Sequence, residues 1–470
     1  MTLINDTRFA VRSLFRTPGI SAITILTLGL GIGMSVAVWS VVDAVLIEPL
    51  PYPEADRLVQ IGLTLQDLGT SAYPMSALDY LDYAERNTSF ESMAAIFREN
   101  LNLTGGSSPE RVTGALVSAP FFTVMGVPPQ IGRTFSNDDD APGRDLVAVI
   151  SHGLWQRRLG GRPSVLGDTV VVNGRSHVIV GVAPEGFDFP RDTEIWLPIA
   201  IEPETEDRAH GWVTPVGRLR PGVQVAGARA DLEAIREWIE REHVDSREGR
   251  TVALEPLKER TVGSIRSSLL VLLAGAAFVL LIATANATIL LSVRTAARQR
   301  ELAMRHALGA SRGHLVRLVM VEGVLLALCG GAVGLVLSQW CVRMIELRFS
   351  ELIPRSDSLG LDAGIFGFAV LISAAVGLFA GILPAARSKE DRIMVRLRET
   401  DRATIGGSST VGTAMIVSEI ALSVVLLAGA VLLIRTSINL LRVDPGFSSD
   451  RVMTAEVSLT DERYAEEGDR

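Results

Sequence analysis

The sequence predicts an α-helical membrane domain of five transmembrane helices and a large α+β extracytoplasmic domain of two lobes inserted between helices 1 and 2. Three observations carry this. Five long apolar runs, at residues 20–46, 269–293, 315–340, 363–385 and 411–434, each reach the roughly 20 residues that a hydrocarbon core requires. A long stretch of mixed polarity, residues 47–262, separates the first run from the second and is rich in strand-like segments and turns. With 48% hydrophobic residues and a mean hydropathy of +0.31, the chain is too apolar for an ordinary soluble protein.

Residues 1–19 predict a short amphipathic helix on the inner membrane surface. Arg8, Arg12 and Arg16 recur every four positions and alternate with Phe9, Leu14 and Phe15. Pro18 and Gly19 close it, and the first span follows at residues 20–46. That run is too long for a signal peptide, and no small-x-small cleavage site follows it, so it is read as retained. In the outer domain the strand candidates are residues 58–63, 146–150, 169–172 and 177–182, the last two joined by an Asn173-Gly174 hairpin turn. A strand near 213–219, a Pro221-Gly222 turn, a helix with Leu232, Ile235 and Ile239 on one face, and a strand at 251–257 complete one α+β lobe. The hairpin-rich middle forms the other.

Basic residues set the orientation. The N-terminus, the segment 294–314 after the second span (263–293), and the linker 386–410 with Arg387, Lys389, Arg392, Arg396, Arg398 and Arg402 are expected in the cytoplasm. The loop 341–362 between the third and fourth spans balances its charges, as an outer loop can. In the segment 294–314, Arg298, Glu301 and Arg305 fall on one helical face. Glu301 precedes Arg305 by four positions, the favourable order for an ion pair, and Gly309 after Leu308 supplies a stop. The segment reads either as a handle for a soluble partner or as a basic loop that merely orients the chain.

Other chemistry finds little support. No GxxxxGK[ST] loop is present to cradle ATP, and no GxSxG elbow suggests a nucleophile. The six histidines lack metal-ligand spacing, and the run Asp138 to Asp140 lacks a calcium-loop pattern, so no metal or other cofactor is expected. Cys329 and Cys341 sit in or beside one apolar run and suggest no disulfide framework. A net charge of -8 argues against nucleic-acid binding. Glu322 and Glu419 lie inside apolar runs, where packing or an interfacial position is favoured over a proton path. Gly330, Gly331 and Gly334, and the Gly377-x-x-x-Gly381 pair, suit close packing between spans or between two copies. Asp450-Arg451-Val452 after the fifth span echoes Asp56-Arg57-Leu58 after the first, which hints at duplication and at residues 435–470 as the start of an incomplete second outer domain.

Several long stretches together resemble a known family. RFAVRSLFRTPG and LGLGIGMSVAVWSVVDAVLIEPLPYPEADRLV at the front, then VSAPFFTVMGVPPQIGRTF, AVISHGLWQRRLGG and IVGVAPEGFDFP, are similar to the first span and periplasmic core domain of ABC transporter permeases of the mechanotransmission type. RQRELAMRHALGASRGHLVR, Glu322, Gly330-Gly331 and GILPAARS resemble their permease module. This family includes macrolide-exporter, lipoprotein-releasing and cell-division permeases, and the likeness is to its duplicated acidobacterial-type subgroup. It implies a separate ABC ATPase subunit that docks on the coupling residues Arg298, Glu301, Arg305, Leu308 and Gly309. It also implies transmission of motion to the outer domain, for efflux or export, in a bacterial inner membrane. A homodimer, or pairing with a second permease module, is expected, with a periplasmic adaptor as a further partner. Members of the subgroup carry a second module, whereas this chain stops after its fifth span. The alternative is a transmembrane signalling device that regulates an extracytoplasmic enzyme such as a cell-wall hydrolase. A membrane-anchored enzyme or adhesin would not need five spans, and no site for either is found.

Overall fold

The computed structural model describes residues 3–65, 73–105, 109–243, 250–298, 301, 304–305, 307, 311–349, 362–387 and 410–441. The chain forms two compact units, one from Met1–Glu48 and Ser264–Val452, the other from Pro49–Gly263. Helix α1 (Leu3–Arg16) stops at Thr17, and Pro18 opens α2 (Pro18–Val42) at a position where its missing N–H costs nothing. Ser21, Thr24 and Ser35 turn their hydroxyls back to the carbonyls four residues earlier, which satisfies them inside an apolar helix. The end of α2 widens into π-helical turns over Asp43–Ile47.

The outer unit holds β1 (Leu58–Leu65), α3 (Ala77–Arg86), β2 (Phe90–Ala94), β3 (Ile96–Thr104), β4 (Glu110–Val117), α4 (Phe121–Met125), β5 (Ile131–Gly132), β6 (Val147–Ile150), α5 (His152–Leu159), β7 (Thr169–Val172), β8 (Arg175–Val182), β9 (Ile195–Pro198), β10 (Val216–Leu219), α6 (Val225–Glu242) and β11 (Arg250–Pro256). Strands β11, β1, β10 and β2 pair in that order, all antiparallel. Counted along the lobe, this is strand order 4-1-3-2 with a helix after the first and third strands, the split βαβ arrangement. Ser76 caps α3 by accepting the Asp79 N–H at 3.1 Å. Leu232, Ile235 and Ile239 of α6 are buried with Tyr80 and Tyr83 of α3 against Val59, Ile61 and Leu63 of β1.

The other lobe is inserted between β2 and β10. Its strands run β5-β8-β6-β9-β4-β3-β7, and β7 pairs back on β8, so the sheet closes on itself. Closure leaves Leu101, Leu103, Ala148, Ile150, Val172, Ile179 and Ile195 buried in one cluster and removes most of the exposed strand edge. The β7–β8 turn has Asn173 at φ 49° and Gly174 at φ 82°, the left-handed pair that a two-residue hairpin requires. Strands β2, β3, β4, β5 and β9 are not distinguished in the sequence. In β3, Arg98, Glu99 and Asn100 interrupt the apolar alternation, and β9 is a four-residue apolar run ending in proline.

Four long helices follow: α7 (Leu257–Ala297), α8 (Arg312–Phe349), α9 (Ala363–Arg387) and α10 (Thr410–Leu441). The candidate spans are Pro18–Ile47, Ile265–Ala297, Val316–Ile345, Ala363–Ile382 and Ile416–Thr436. Expected boundaries move at α7, α8 and α10, the last of which runs on to Leu441, into the start of the expected segment 435–470. Helix α7 starts well before its apolar run, through Lys258, Glu259 and Arg260, and α8 continues to Phe349 into the expected outer loop 341–362. Apolarity marks what a bilayer can hold, while the helix itself persists through polar residues of good helix propensity. The expected linker 386–410 beyond Arg387 lies outside the described residues, as does the segment 435–470 beyond Leu441.

Glycines set the packing of α2, α8 and α9. A Cβ on Gly334 would lie 2.9 Å from the Gly33 nitrogen and 3.0 Å from the Gly29 oxygen, so α8 meets α2 backbone to backbone. Gly330 faces Leu28 of α2, and Gly331 faces Ser373 of α9. Gly377 lies against Val324 and Gly323, and Gly381 against Met320. Both glycine groups therefore pack spans of this one chain. Leu28, Ile32, Leu291, Leu326, Ala369 and Val376 form the core around these contacts, drawn from α2, α7, α8 and α9.

Candidate functional site

The segment between α7 and α8 is the site the sequence singles out. Arg294, expected to open the coupling segment, instead belongs to the last turns of α7. Glu301, Met304, Arg305 and Ala307 are helical, while Leu308 and Gly309 lie outside the described residues. Glu301 Oε1 accepts from Arg305 Nη2 at 2.9 Å, and its Oε2 accepts from Arg298 Nε at 3.2 Å. One carboxylate thus holds an arginine on either side along the chain.

Those arginines lead to a buried charge cluster. Glu322 of α8 has Oε1 3.0 Å from Arg294 Nε and Oε2 3.4 Å from Arg298 Nη1. Ser13 of α1 donates its hydroxyl to Glu322 Oε1 at 2.9 Å and accepts from Arg298 Nη1 at 2.7 Å and Arg294 Nη2 at 3.1 Å. Arg294 Nη1 reaches the Ser21 hydroxyl at 3.1 Å, and its Nη2 also donates to the Ser13 carbonyl. The Arg294 and Glu322 side chains are only 3% and 8% exposed. An ionised group at such burial persists where opposite charge and hydrogen bonds replace water. Glu322 supplies the charge and Ser13 and Ser21 the hydrogen bonds, while Arg294 Nε and Arg298 Nη2 have no hydrogen-bond acceptor among the described residues.

Helix α1 supplies the third wall. Asp6, Phe9 and Ser13, spaced three and four apart, share one face. Phe9 underlies the Arg305 guanidinium at 4.0 Å and that of Arg298 at 5.2 Å from its ring centre. Asp6, buried, pairs with Arg317 of α8 at 2.7 Å. The sequence placed α1 on the membrane surface as a whole, but half of its circumference is turned to protein. Of the expected coupling residues, the fold brings together Arg298, Glu301 and Arg305. Asp6, Phe9, Ser13, Ser21 and Arg317 join them without having been expected to, as do Arg294 and Glu322, which the sequence placed in the coupling segment and in the third span. The available signal was Glu322 itself, an acid in an apolar run with arginines at the end of the preceding one.

The outer domain uses its acids structurally. Asp139 accepts from Arg133 at 2.5 and 3.0 Å and from the Ser136 N–H and hydroxyl at 2.8 and 2.7 Å. Arg133 and Ser136 together hold its carboxyl down at about 2. Asp140 accepts the backbone N–H groups of Ala119 and Ala200 at 2.8 and 2.9 Å, although burial pushes its pKa up. Arg218 of β10 is buried against the carbonyls of Val124 and Pro53, each 2.9 Å away, and burial lowers its pKa. Among the described residues no group of three or more potential metal ligands converges.

Residues 21–235 match the MacB-like periplasmic core domain, and residues 273–390 match the FtsX-like permease C-terminal domain. Over 297 residues the chain is 25% identical to the macrolide export ATP-binding/permease protein MacB of Shigella boydii, covering 61% of this chain and 43% of that protein. The same protein of Salmonella typhi shows the same identity and coverage, 25%, 61% and 43%. The chain thus spans less than half the length of these relatives. The extracellular domain of the noncanonic ABC-type transporter YknZ from Gram-positive bacteria aligns at 16% identity and a TM-score of 0.33, over 42% of this chain and 99% of that one. The periplasmic region of MacB from Actinobacillus actinomycetemcomitans aligns at 14% and 0.35, over 45% and 94%. The first family match takes in α2 and most of the outer domain, the second most of α7 with α8 and α9, and with both in this order the chain belongs to the MacB- and FtsX-like family of ABC permeases.

Proposed function

We propose that this chain is the permease subunit of an ABC exporter and passes motion from a separate ATPase to its outer domain. One observation carries the reading: Arg298 and Arg305 of the segment between α7 and α8 lie against Ser13 and Phe9 of α1, and Arg298 shares Glu322 of α8 with Arg294 of α7. A push on Glu301 or Arg305 therefore reaches α7 through Arg298, Glu322 and Arg294, with no need for α7 itself to touch the ATPase. ATP binding and hydrolysis belong to the separate subunit, and the chain itself is not an enzyme. The N-terminus lies in the cytoplasm, on the side of the basic segments.

The fifth span favours assembly. No described residue in the apolar stretch of α10 is buried within this chain, and Ile420, Val424, Leu427 and Val431 are exposed. A second permease module or a second copy would pack beside it, and a periplasmic adaptor would bind the outer domain.

Co-purification with a co-expressed ABC ATPase subunit tests the docking. Glu301→Ala, Arg305→Ala and Gly309→Leu should each lower the retained ATPase at least about tenfold, an energy typical of one interface anchor. Unchanged retention in all three variants, with unchanged melting, would remove this segment as the docking site. Loss of export upon deletion of the chain separates this function from control of a cell-wall hydrolase, which would leave export intact.

A further inference from the structure

Helix α1 has a second face that the charge cluster leaves unused. Arg8, Val11, Arg12, Phe15 and Arg16 follow one another at helical spacing and are all exposed, Phe15 by 80%. No ion pair engages these three arginines among the described residues, and the one acid of the helix, Asp6, is buried on the opposite side. Pro18 begins the first candidate span two residues after Arg16, which holds this face at the depth of lipid head groups. Guanidinium groups interleaved with an aromatic and a branched apolar side chain fit a negatively charged bilayer surface, the arginines at phosphates and Phe15 among the upper acyl carbons.

We propose that α1 is a two-faced strap whose outer face binds anionic phospholipid head groups and whose inner face conveys that occupancy to the segment between α7 and α8. The two faces are turns of one rigid helix. Ser13, between Arg12 and Phe15 in sequence, makes the inward contacts to Arg294, Arg298 and Glu322. Phe9, next to Arg8, supports Arg298 and Arg305. Lipid that orders α1 therefore orders the network built on it, and by linkage an ordered segment raises the affinity of α1 for lipid. The inference needs no ATPase, so it stands or falls apart from the reading above.

Amide hydrogen exchange of the full chain in nanodiscs tests it, with phosphatidylcholine alone compared with phosphatidylcholine mixed with phosphatidylglycerol. Exchange in α1 and in residues 294–317 should slow about tenfold with the anionic lipid, an effect the size expected of a few surface arginines. The variant carrying Arg8→Gln, Arg12→Gln and Arg16→Gln should lose both effects. Ser13→Ala should keep the slowing in α1 and lose it in 294–317. Unaltered exchange in α9, which belongs to the same unit as α1, checks that each variant is folded. Equal exchange in both lipids, or a full lipid effect in the triple variant, overturns the lipid contact and leaves an acidic protein surface as the partner of this face. A full effect on 294–317 in Ser13→Ala overturns the transmission.

Discussion

Arg294 and Glu322 meet at 3.0 Å with side chains 3% and 8% exposed, an ion pair between the end of α7 and the first turns of α8. Truncating one partner strands the other's charge away from water, which costs about 3–5 kcal/mol in buried pairs. Glu322→Ala is therefore expected to lower the melting temperature of the detergent-solubilised chain sharply. Glu322→Gln should cost less, because an amide oxygen still accepts the Ser13 hydroxyl. Arg294→Ala combined with Glu322→Ala should cost less than the sum of the single changes, the deficit measuring their coupling. Strict additivity would mean that the two residues act separately.

The contact of α2 with α8 predicts a contrast between two glycines. In Gly334→Ala the new methyl would sit 2.9 Å from the Gly33 nitrogen, and neither backbone can yield without shifting a helix. Overpacking of this kind costs about 1–3 kcal/mol. Gly275 of α7 has no atom within 4 Å of a Cβ position, so Gly275→Ala should be neutral, or stabilising by up to about 1 kcal/mol through helix propensity. Thermal melting of both variants under one detergent condition decides it. Equal losses would show that general intolerance of the spans, not the close crossing, governs the response.

The sequence made legible what is local or long. Apolar runs located the five candidate spans among the described residues, because bilayer thickness imposes a length that composition alone reveals. Asn173-Gly174 announced its hairpin, and Glu301 with Arg305 announced a pair one helical turn apart. What stayed hidden is contact between distant parts. Ser13 and Glu322 are 309 positions apart, and no periodicity relates them. Arg294 looked like part of the coupling helix because charge normally leaves the span, yet a buried partner on α8 keeps it in α7. Closure of the seven-stranded sheet was equally hidden, since β7 pairs with β3 and with β8, and only the β8 pairing has a local turn to signal it. The insertion of that lobe between β2 and β10 breaks the strand order 4-1-3-2, so only its second half was recognised as a strand-helix-strand unit.

Asp139 gives the outer domain a defined acid limb. Its carboxyl titrates at about 2 instead of the ordinary 3.8, held down first by Arg133 and then by the Ser136 N–H and hydroxyl. A pKa depressed on folding means that the folded state favours the ionised form. The associated stability is fully present above the unfolded pKa near 4 and disappears as pH falls through about 2. Nearby charges do not reverse this: Asp140 is turned to the N–H groups of Ala119 and Ala200, and Asp138, which has Arg144 within 3.9 Å, is exposed. A shift of this size on a side chain only 11% exposed corresponds to about 2 kcal/mol. Asp139→Asn in the domain 49–263 should therefore lose about 2 kcal/mol in urea unfolding at neutral pH. The gap from wild type should close progressively between pH 4 and pH 2, because protonation then removes the same charge from the wild-type domain. A gap that stayed constant down to pH 2 would show that the hydrogen-bond geometry around Ser136, and not the charge facing Arg133, is what Asp139 contributes.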